Sequence, residues 1–225
     1  MRWKTYKVHI VILGAPGAGK GTQAEIIHQK MNLAHVSTGD LFRQALDRGT
    51  ELGLLAKDYM EKGNLVPDEI VTKMVLQRIK QSDCLSGWLL EGFPRTLQQA
   101  EMLDKALAEQ GEKIDNAVYV EVPEVELIKR LSGRWTCRSC QAPYHMVSSP
   151  PEVQGKCDKC GGELYQRLDD NEQTVKERLK VFNAMTIPTL RYYQKQNKLL
   201  KVDGNKEIQE VASEILFELE KINKW

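Results

Sequence analysis

The sequence predicts an α/β protein in which a five-stranded parallel sheet is flanked by helices, and two observations support this. Short apolar runs at 8–13, 34–36, 88–90, 117–122 and 199–202 have the length of strands that are buried on both faces. Beside each run lies a stretch in which apolar residues recur at helical spacing. Strands that alternate with helices in this way form a parallel sheet with right-handed crossovers.

Composition and charge are those of an ordinary globular chain and exclude several classes of protein. Of the 225 residues, 41% are hydrophobic and 28% are charged, which excludes disorder as the main theme. The net charge of +1 leaves no overall field that would hold nucleic acid or a membrane surface. No apolar run approaches the roughly 20 residues of a membrane span, and the start lacks the pattern of a secretory signal. We therefore expect a cytoplasmic protein.

The stretch GAPGAGKGT at 14–22 follows the first predicted strand and opens a helical pattern. Backbone N–H groups in such a loop cradle phosphate, and the helix N-terminus adds partial positive charge. The pattern G-x-x-x-x-G-K is met, with Lys20 placed to reach the outer phosphates. Gly21 occupies the position where the general motif has Ser or Thr, and Thr22 follows it, so the loop alone does not assure a magnesium ligand. A purely structural glycine turn is the alternative.

A second motif lies in a segment that interrupts the alternation, at 133–165, which is rich in Gly, Pro and Ser. It contains two Cys-x-x-Cys pairs separated by sixteen residues, namely Cys137, Cys140, Cys157 and Cys160. This is the spacing of paired knuckles around one tetrahedral zinc ion. Four thiolates leave no open coordination position, so the zinc would be structural; four unrelated free thiols are the alternative. Cys84 stands apart and is expected to be a core or helix-end residue.

Arginines recur at the edges of the predicted segments. The stretches STGDLFR at 37–43 and EGFPRTLQQ at 91–99 both place an arginine after a predicted strand. Four more lie around the cysteine segment: Arg130, Arg134, Arg167 and Arg178. Taken singly, each would be read as a solvated surface residue. Together with the lysine loop they suit phosphoryl transfer between two phosphate-bearing substrates, because that chemistry depends on fixed cations around the transferred group.

The motifs GAPGAGKGTQ, STGDLFR, EGFPRT and RLDDNEQTVKER occur in the order and spacing of adenylate kinases. The chain resembles the long type of this family, whose lid carries four zinc-binding cysteines, from Val8 to the final helix. The resemblance implies a phosphate-loop nucleoside monophosphate kinase fold with a helical AMP-binding insertion and a small zinc-bearing lid. It implies reversible transfer of a phosphoryl group from ATP to AMP with Mg²⁺, giving two ADP.

The resemblance also implies roles for individual residues. The ATP site would comprise Gly17, Ala18, Gly19, Lys20, Gly21, Thr22, Arg130, Arg134 and Tyr144. The AMP site would comprise Thr38, Arg43, Leu65, Val66, Gly92, Arg95, Gln99, Arg167 and Arg178. The catalytic groups would be Lys20, Glu91, Arg95, Arg130, Arg134, Arg167 and Arg178. Within this set, Thr38 and Gln99 are the positions that favour adenine in the monophosphate site, and Arg130, Arg134, Arg167 and Arg178 are those that close over the phosphates.

The implied organisation has a core at 1–36, 67–132 and 171–225, an AMP-binding insertion at 37–66, and a zinc lid at 133–170. Hinges are expected near Gly63, Gly133 and the pair at 161–162. The family resemblance also implies a monomer that binds ATP and AMP or ADP, with no nucleic acid or membrane partner. A cis peptide bond is expected between Phe93 and Pro94.

The sequence departs from the family pattern at two positions. Glu91 occupies a place where the family usually has Asp, and Asn64 one where many relatives have Lys. If the carboxylate orients magnesium through water, the extra methylene shifts it by about an ångström, and a misplacement of that size can cost about 10²-fold in rate. Alternatively the site has adjusted, or Glu91 holds the metal differently. We expect Glu91 to serve magnesium, and an Asp in its place to leave activity similar or raise it.

Other functions remain open at this point. The donor could be GTP, or the acceptor another monophosphate, without a change in the motifs. Paired cysteine knuckles also occur in zinc ribbons that bind nucleic acid, which the near-zero net charge disfavours. A phosphate-loop switch protein that only hydrolyses nucleotide is disfavoured by the second set of arginine-bearing loops. His9, His28 and His35 are expected to be structural, and His145 a lid packing or nucleotide-edge residue.

Overall fold

The computed structural model describes residues 7–222, so the first six and last three residues of the predicted core lie outside the described part. Within it the strands are β1 (Val8–Leu13), β2 (Ala34–Ser37), β3 (Gly87–Glu91), β4 (Asn116–Glu121), β5 (Arg134–Cys137), β6 (Pro143–His145), β7 (Leu164–Tyr165) and β8 (Leu199–Asp203). The helices are α1 (Lys20–Met31), α2 (Thr38–Asp47), α3 (Glu51–Glu61), α4 (Asp68–Arg78), α5 (Leu97–Ala108), α6 (Glu124–Ser132), α7 (Glu172–Val181), α8 (Ile187–Lys195) and α9 (Ile208–Ile222). Single turns of 3₁₀ helix occur at Ser82–Cys84 and Leu168–Asp170, and a π turn at Phe182–Thr186 joins α7 to α8.

Five strands form the central sheet in the order β2-β3-β1-β4-β8, and every neighbouring pair is parallel. The predicted five-stranded parallel sheet is therefore confirmed. All six residues of β1 are buried, as expected for a middle strand that is covered on both faces. One apolar core packs α1, α6, α7 and α9 on one face of the sheet, and a second packs α4, α5 and α8 on the other.

The strand order places the functional loops on one edge of the sheet. The chain leaves β1 toward β2 and β3 on one side and later enters β4 on the other, so the order reverses at β1. In open α/β sheets, ligands bind in the crevice that this reversal opens at the carboxyl ends of the strands. The loop at 14–19 follows β1 and the loop at 92–96 follows β3, so both open into this crevice. The predicted cis peptide bond between Phe93 and Pro94 is present in the second loop.

Helices α2 and α3 form the segment between β2 and α4. Ser37 caps α2 by accepting a hydrogen bond from the backbone N–H of Asp40, and Thr50 caps α3 by accepting one from Gly53. The two helices approach so closely that a Cβ added at Gly53 would lie 2.3 Å from the carbonyl carbon of Ala45. This close approach requires glycine at position 53.

The cysteine-bearing segment folds as a separate three-stranded antiparallel sheet in the order β6-β5-β7. Its apolar core is small: Cys137, Ala142, Tyr144, Cys157 and Leu164 are buried, with Trp135 packed against them. Periodicity could not predict these strands, because they are only two to four residues long. Cys84 is buried in the main core, as predicted. No helix among the described residues is long and apolar enough to cross a membrane.

We predict that Gly53→Ala destabilises the protein although alanine is the better helix former. Helix propensity alone would favour the variant by about 1 kcal/mol. The overlap with the Ala45 backbone forces α2 and α3 apart, and we expect a net loss of about 1–3 kcal/mol in the free energy of urea unfolding. Leu54→Ala is the matched control, since the side chain of Leu54 is 55% exposed and its loss should change stability little. A stabilised Gly53→Ala variant would contradict the close packing of the two helices.

Candidate active site

The loop between β1 and α1 has the conformation of a phosphate cradle. Gly17 and Gly19 have φ angles of 84° and 86°, in the left-handed region, and Gly19 is the residue from which α1 begins. Helix α1 has no side-chain cap and no acidic residue in its first turn. Its first backbone N–H groups and its positive dipole end are therefore available to an anion. Ala18 is a buried residue of this loop, and Gly21 and Thr22 lie in the first turn of the helix.

Lys20 extends back over this loop. Its Nζ donates a hydrogen bond of 2.8 Å to the carbonyl oxygen of Ala15. Burial in the cleft, together with the nearby charges of Arg95, Arg178 and Arg134, lowers the pKa of Lys20 to about 7, although Glu91 opposes the shift. A negatively charged ligand group beside Lys20 would therefore favour the protonated form of its amine.

Two adjoining cavities open above the carboxyl ends of the strands. The first has a volume of about 590 Å³ and extends toward α2 and α3, and the second has about 510 Å³ and extends along the phosphate loop to Lys20. Five residues line both cavities: Gly63, Leu65, Gly92, Arg95 and Arg178. The two arginines therefore lie where the contents of the two cavities would meet.

The first cavity collects the residues expected at the monophosphate site: Thr38, Arg43, Leu65, Val66, Gly92, Arg95, Gln99, Arg167 and Arg178. Thr38 donates a hydrogen bond of 3.0 Å from Oγ1 to the carbonyl oxygen of Gly92. Gln99 accepts one of 2.7 Å from the backbone N–H of Arg95, and its Nε2 donates to Asp68 at 2.8 Å. In this arrangement Gln99 holds the loop that carries Arg95.

Three of the predicted arginines converge on two aspartates. Arg134 donates from Nε to Oδ2 of Asp170 at 2.7 Å, and Arg167 donates from Nε to Oδ1 of Asp169 at 2.9 Å. Arg178 donates to Asp170 at 3.0 Å and lies 2.9 Å from Oδ2 of Asp169. Burial alone would raise the pKa of Asp169, but Arg178 and Arg167 hold it well below its usual range. The cluster joins the cysteine-bearing sheet to α7.

Two predicted residues lie elsewhere. Arg130 does not join the arginine cluster: it donates a hydrogen bond of 3.0 Å to the carbonyl oxygen of Gly204. Tyr144, predicted at the ATP site, makes its contacts within the cysteine-bearing sheet. This side chain is buried inside the small sheet, and its hydroxyl donates to Sγ of Cys157 at 3.3 Å, so its contacts are with the cysteine cluster.

Glu91, the unusual acid at the end of β3, is held by a histidine that is predicted from the sequence to be structural. Nε2 of His35, on the neighbouring strand β2, lies 3.1 Å from Oε2 of Glu91. Burial alone would raise the pKa of Glu91, but the hydrogen bond and charge of His35, with Lys20, lower it. A Cβ added at Gly21 would lie 3.3 Å from Oε1 of Glu91. The bare position 21 therefore leaves space for the longer acid.

The position of Glu91 fits a magnesium site. Mg²⁺ in nucleotide-binding proteins usually retains several waters and takes one or two carboxylates together with substrate phosphates. Glu91 supplies an ionised carboxylate beside the first turn of α1, where phosphates would lie. The hydroxyl of Thr22 in the same turn is the other candidate oxygen.

The four clustered cysteines have the geometry of a metal site. Their Sγ atoms all lie within 4.8 Å of one another, and Cys137–Cys160 and Cys140–Cys157 are each separated by 3.5 Å. A tetrahedral zinc with bonds of about 2.3 Å would place sulfurs about 3.8 Å apart. Burial raises the pKa of Cys157, but hydrogen bonds from Tyr144 and two backbone N–H groups lower it to about 6. The cluster can therefore hold a metal ion.

Comparison with known proteins decides the family. The sequence model described as adenylate kinase matches residues 12–198 of the chain. The chain belongs to the adenylate kinase family. An adenylate kinase of Carboxydothermus hydrogenoformans is 55% identical over 94% of this chain and 99% of its own length. Adenylate kinases of Archaeoglobus fulgidus and Dehalococcoides mccartyi are each 53% identical, over 96% and 92% of this chain and 99% and 96% of their own lengths.

Within this adenylate kinase fold, several site contacts were missed by sequence reasoning. His35 contacts Glu91, and Asp68 accepts a hydrogen bond from Gln99. Thr186 donates one from Oγ1 to the carbonyl oxygen of Arg95 at 2.9 Å. Each of the three acts by holding a predicted site residue. His35 could have been found from strand geometry alone. It pairs with Leu89, two residues before Glu91 on the parallel strand β3, so the alternation of side chains places His35 and Glu91 on the same face of the sheet.

We predict that metal removal from the cysteine cluster lowers stability before it lowers catalysis. A thiol-reactive reagent should release about one zinc per chain, and the melting temperature should fall by at least about 5 °C because the small core cannot hold the sheet alone. When assayed below the new melting temperature, catalytic activity should be affected less than thermal stability is. The Cys84→Ala variant, treated with the same reagent, is the control, because it lacks the thiol that lies outside the cluster. Full activity and unchanged melting after complete metal removal would contradict a structural role.

We predict that the charge of Glu91 matters more than its length. Glu91→Asp should keep kcat within about tenfold, because an ionised carboxylate remains beside the phosphates, whereas Glu91→Gln should lower it by about 10²-fold or more. The measurement is kcat as a function of Mg²⁺ concentration for both variants. Abolished activity in Glu91→Asp with retained folding would show that the site is built around glutamate.

We predict that ATP binding at pH 8 takes up a proton at Lys20. With a pKa of about 7, this amine is mostly neutral in the free protein, and the phosphates of ATP favour its charged form. Calorimetric binding heats in Tris and in HEPES should therefore differ in proportion to the ionisation enthalpy of the buffer. Lys20→Arg is the control, since arginine stays protonated and the buffer dependence should vanish. Equal heats for the unmodified protein would contradict the lowered pKa.

Proposed function

We propose that this protein catalyses the reversible, Mg²⁺-dependent transfer of the terminal phosphoryl group of ATP to AMP, giving two ADP. The observation that carries the proposal is the pair of adjoining cavities that share Arg95 and Arg178. A hydrolase needs room for one nucleotide and a water, whereas a kinase of small acceptors needs two anion sites that meet. Membership of the adenylate kinase family supports AMP as the acceptor.

In the proposed reaction, ATP occupies the cavity of the phosphate loop and AMP the cavity bounded by α2 and α3. An oxygen of the AMP phosphate bonds to the γ-phosphorus as the bond to the bridging oxygen of ADP breaks, so no proton transfer to a side chain is required. The protein contributes fixed positive charge around the transferred group. Lys20, Arg95 and Arg178 would contact it from the core, and Arg134 and Arg167 from the lid.

The site must exclude water, which competes for the same phosphoryl group. We propose the division into a core, an AMP-binding insertion at 37–66 and a lid at 133–170, with the lid closing over the nucleotides. Two contacts support this arrangement. The arginine–aspartate cluster ties the lid strands to α7, and Lys159 of the lid lies 3.9 Å from Glu25 of α1.

Two metal ions belong to the proposal. Zinc would be held by the four cysteines as a structural ion, and Mg²⁺ near Glu91 would neutralise phosphate charge when it arrives with ATP. We also propose a monomer that works in the cytoplasm without a nucleic acid or membrane partner. This part rests on the family resemblance and on the near-zero net charge.

The decisive test supplies the protein with ATP and Mg²⁺ and adds AMP, UMP, CMP, GMP or nothing, with nucleotides separated by chromatography. We expect two ADP for each AMP consumed, slow reaction with the other acceptors, and stable ATP in the absence of an acceptor. GTP in place of ATP tests the donor. Arg95→Ala should lose activity, whereas Arg78→Ala is the matched control, because Arg78 is bonded to Asp83 and lines neither cavity. Acceptor-independent ATP hydrolysis would contradict the proposal.

A further inference from the structure

One lid residue outside the predicted site contacts the AMP-binding insertion. Gln141 follows Cys140 directly, and its Oε1 accepts a hydrogen bond of 2.9 Å from Nε of Arg43 on α2. The two residues are 98 positions apart in the chain. Arg43 lines the first cavity, so a contact made by the cysteine knuckle reaches the wall of the proposed AMP site.

The backbone of Gln141 is unusual for a residue with a long side chain. Its φ angle is 60°, in the left-handed region that glycine and asparagine adopt most readily. The knuckle holds it there, since its backbone N–H donates to the carbonyl oxygen of Cys137 at 3.1 Å. The side-chain amide is also fixed, because Nε2 donates to the carbonyl oxygen of Arg138 at 3.2 Å. The second knuckle has the same geometry at Gly161, with a φ angle of 73° and a hydrogen bond from its backbone N–H to Cys157, so the knuckle sets the backbone of Gln141 and thereby the position of its side chain.

These contacts fix the guanidinium of Arg43 from two sides. Arg43 donates from Nε to Gln141 and from one terminal nitrogen to Asp40. A guanidinium has five N–H groups in one plane, so three remain for a ligand, and the two contacts together set the plane in which they point. Without Gln141, the side chain would be held only by Asp40 on its own helix.

We propose that Gln141 is a positioning residue for the monophosphate site, which it serves by orienting Arg43 when the lid is closed; this rests on the proposed function. Because Gln141 belongs to the lid and Arg43 to the insertion, the contact forms only when the two segments meet. Lid closure therefore strengthens monophosphate binding. By reciprocity of linked equilibria, a bound monophosphate favours the closed lid.

The main test is Gln141→Asn. Asparagine tolerates the left-handed conformation and retains the amide, but one methylene fewer prevents it from reaching Arg43. We expect KM for AMP to rise by about threefold to tenfold, the range for one typical hydrogen bond, while KM for ATP changes by less than about twofold. Gln166→Asn is the matched control. Gln166 is a second lid glutamine, but its amide donates to Ser132, and its replacement should leave both constants unchanged.

A direct binding measurement separates positioning from a structural role. Calorimetric AMP affinity should be equal in the unmodified protein and Gln141→Asn without donor, and several-fold weaker in the variant when an ATP analogue with a β,γ-methylene bridge holds the lid closed. In an Arg43→Lys background, which lacks the Nε–H donor, Gln141→Asn should have no further effect. Melting temperature and zinc content should stay unchanged.

Three results would overturn the inference: an unchanged KM for AMP in Gln141→Asn, an equal rise in KM for both nucleotides, or a loss of zinc. If the unmodified protein makes no ADP from AMP, the proposed function fails. The binding experiment then still decides whether Gln141 acts on Arg43, because it requires no turnover.

Discussion

The site depends on one electrostatic constraint, the confinement of several positive charges within a cleft that partly excludes water. Six cationic side chains line the two cavities or join their walls: Lys20, Arg43, Arg95, Arg134, Arg167 and Arg178. The acids that pair with them or act on them electrostatically are Asp40, Glu91, Asp169 and Asp170. Removing charges from water costs several kcal/mol per ion unless they are paired. The excess of cations therefore favours a ligand that brings several negative charges, as two nucleotides do.

The fold supplies these charges from separate segments and fixes each one locally. Lys20 lies at the start of α1 and Arg95 in the loop after β3, so the sheet edge holds both. Arg134 begins β5, and Arg167 follows β7, the two strands that pair in the small sheet whose core contains Cys137. A metal that holds the cysteine cluster thus also holds the strands that carry two of the arginines. A metal ion bound there would therefore support the phosphate site without contacting a nucleotide.

The sequence predicted the elements whose signals are local. The apolar runs gave the five strands of the sheet, the glycine loop with Lys20 gave the phosphate cradle, and the cysteine spacing gave the cluster. It could not predict contacts made by long side chains between distant segments. The family resemblance places Arg130 with the arginines that close over the phosphates, but its side chain donates to Gly204. Nothing in the sequence indicates that Gln141 accepts a hydrogen bond from Arg43, 98 positions away. Such contacts depend on the direction of each side chain and on how distant segments pack together. The spacing of apolar residues within one segment carries no information on either.

From the charge excess we expect the shape of the protein to depend on its ligand, and small-angle X-ray scattering tests this most directly. The protein is measured at low salt, alone and with a ligand in which five phosphates join two adenosines. We expect a radius of gyration of about 17 Å with the ligand, the value for a compact chain of this length, and a larger one without it because the cations repel one another. Identical, compact scattering in both states would contradict the central role of the confined charge.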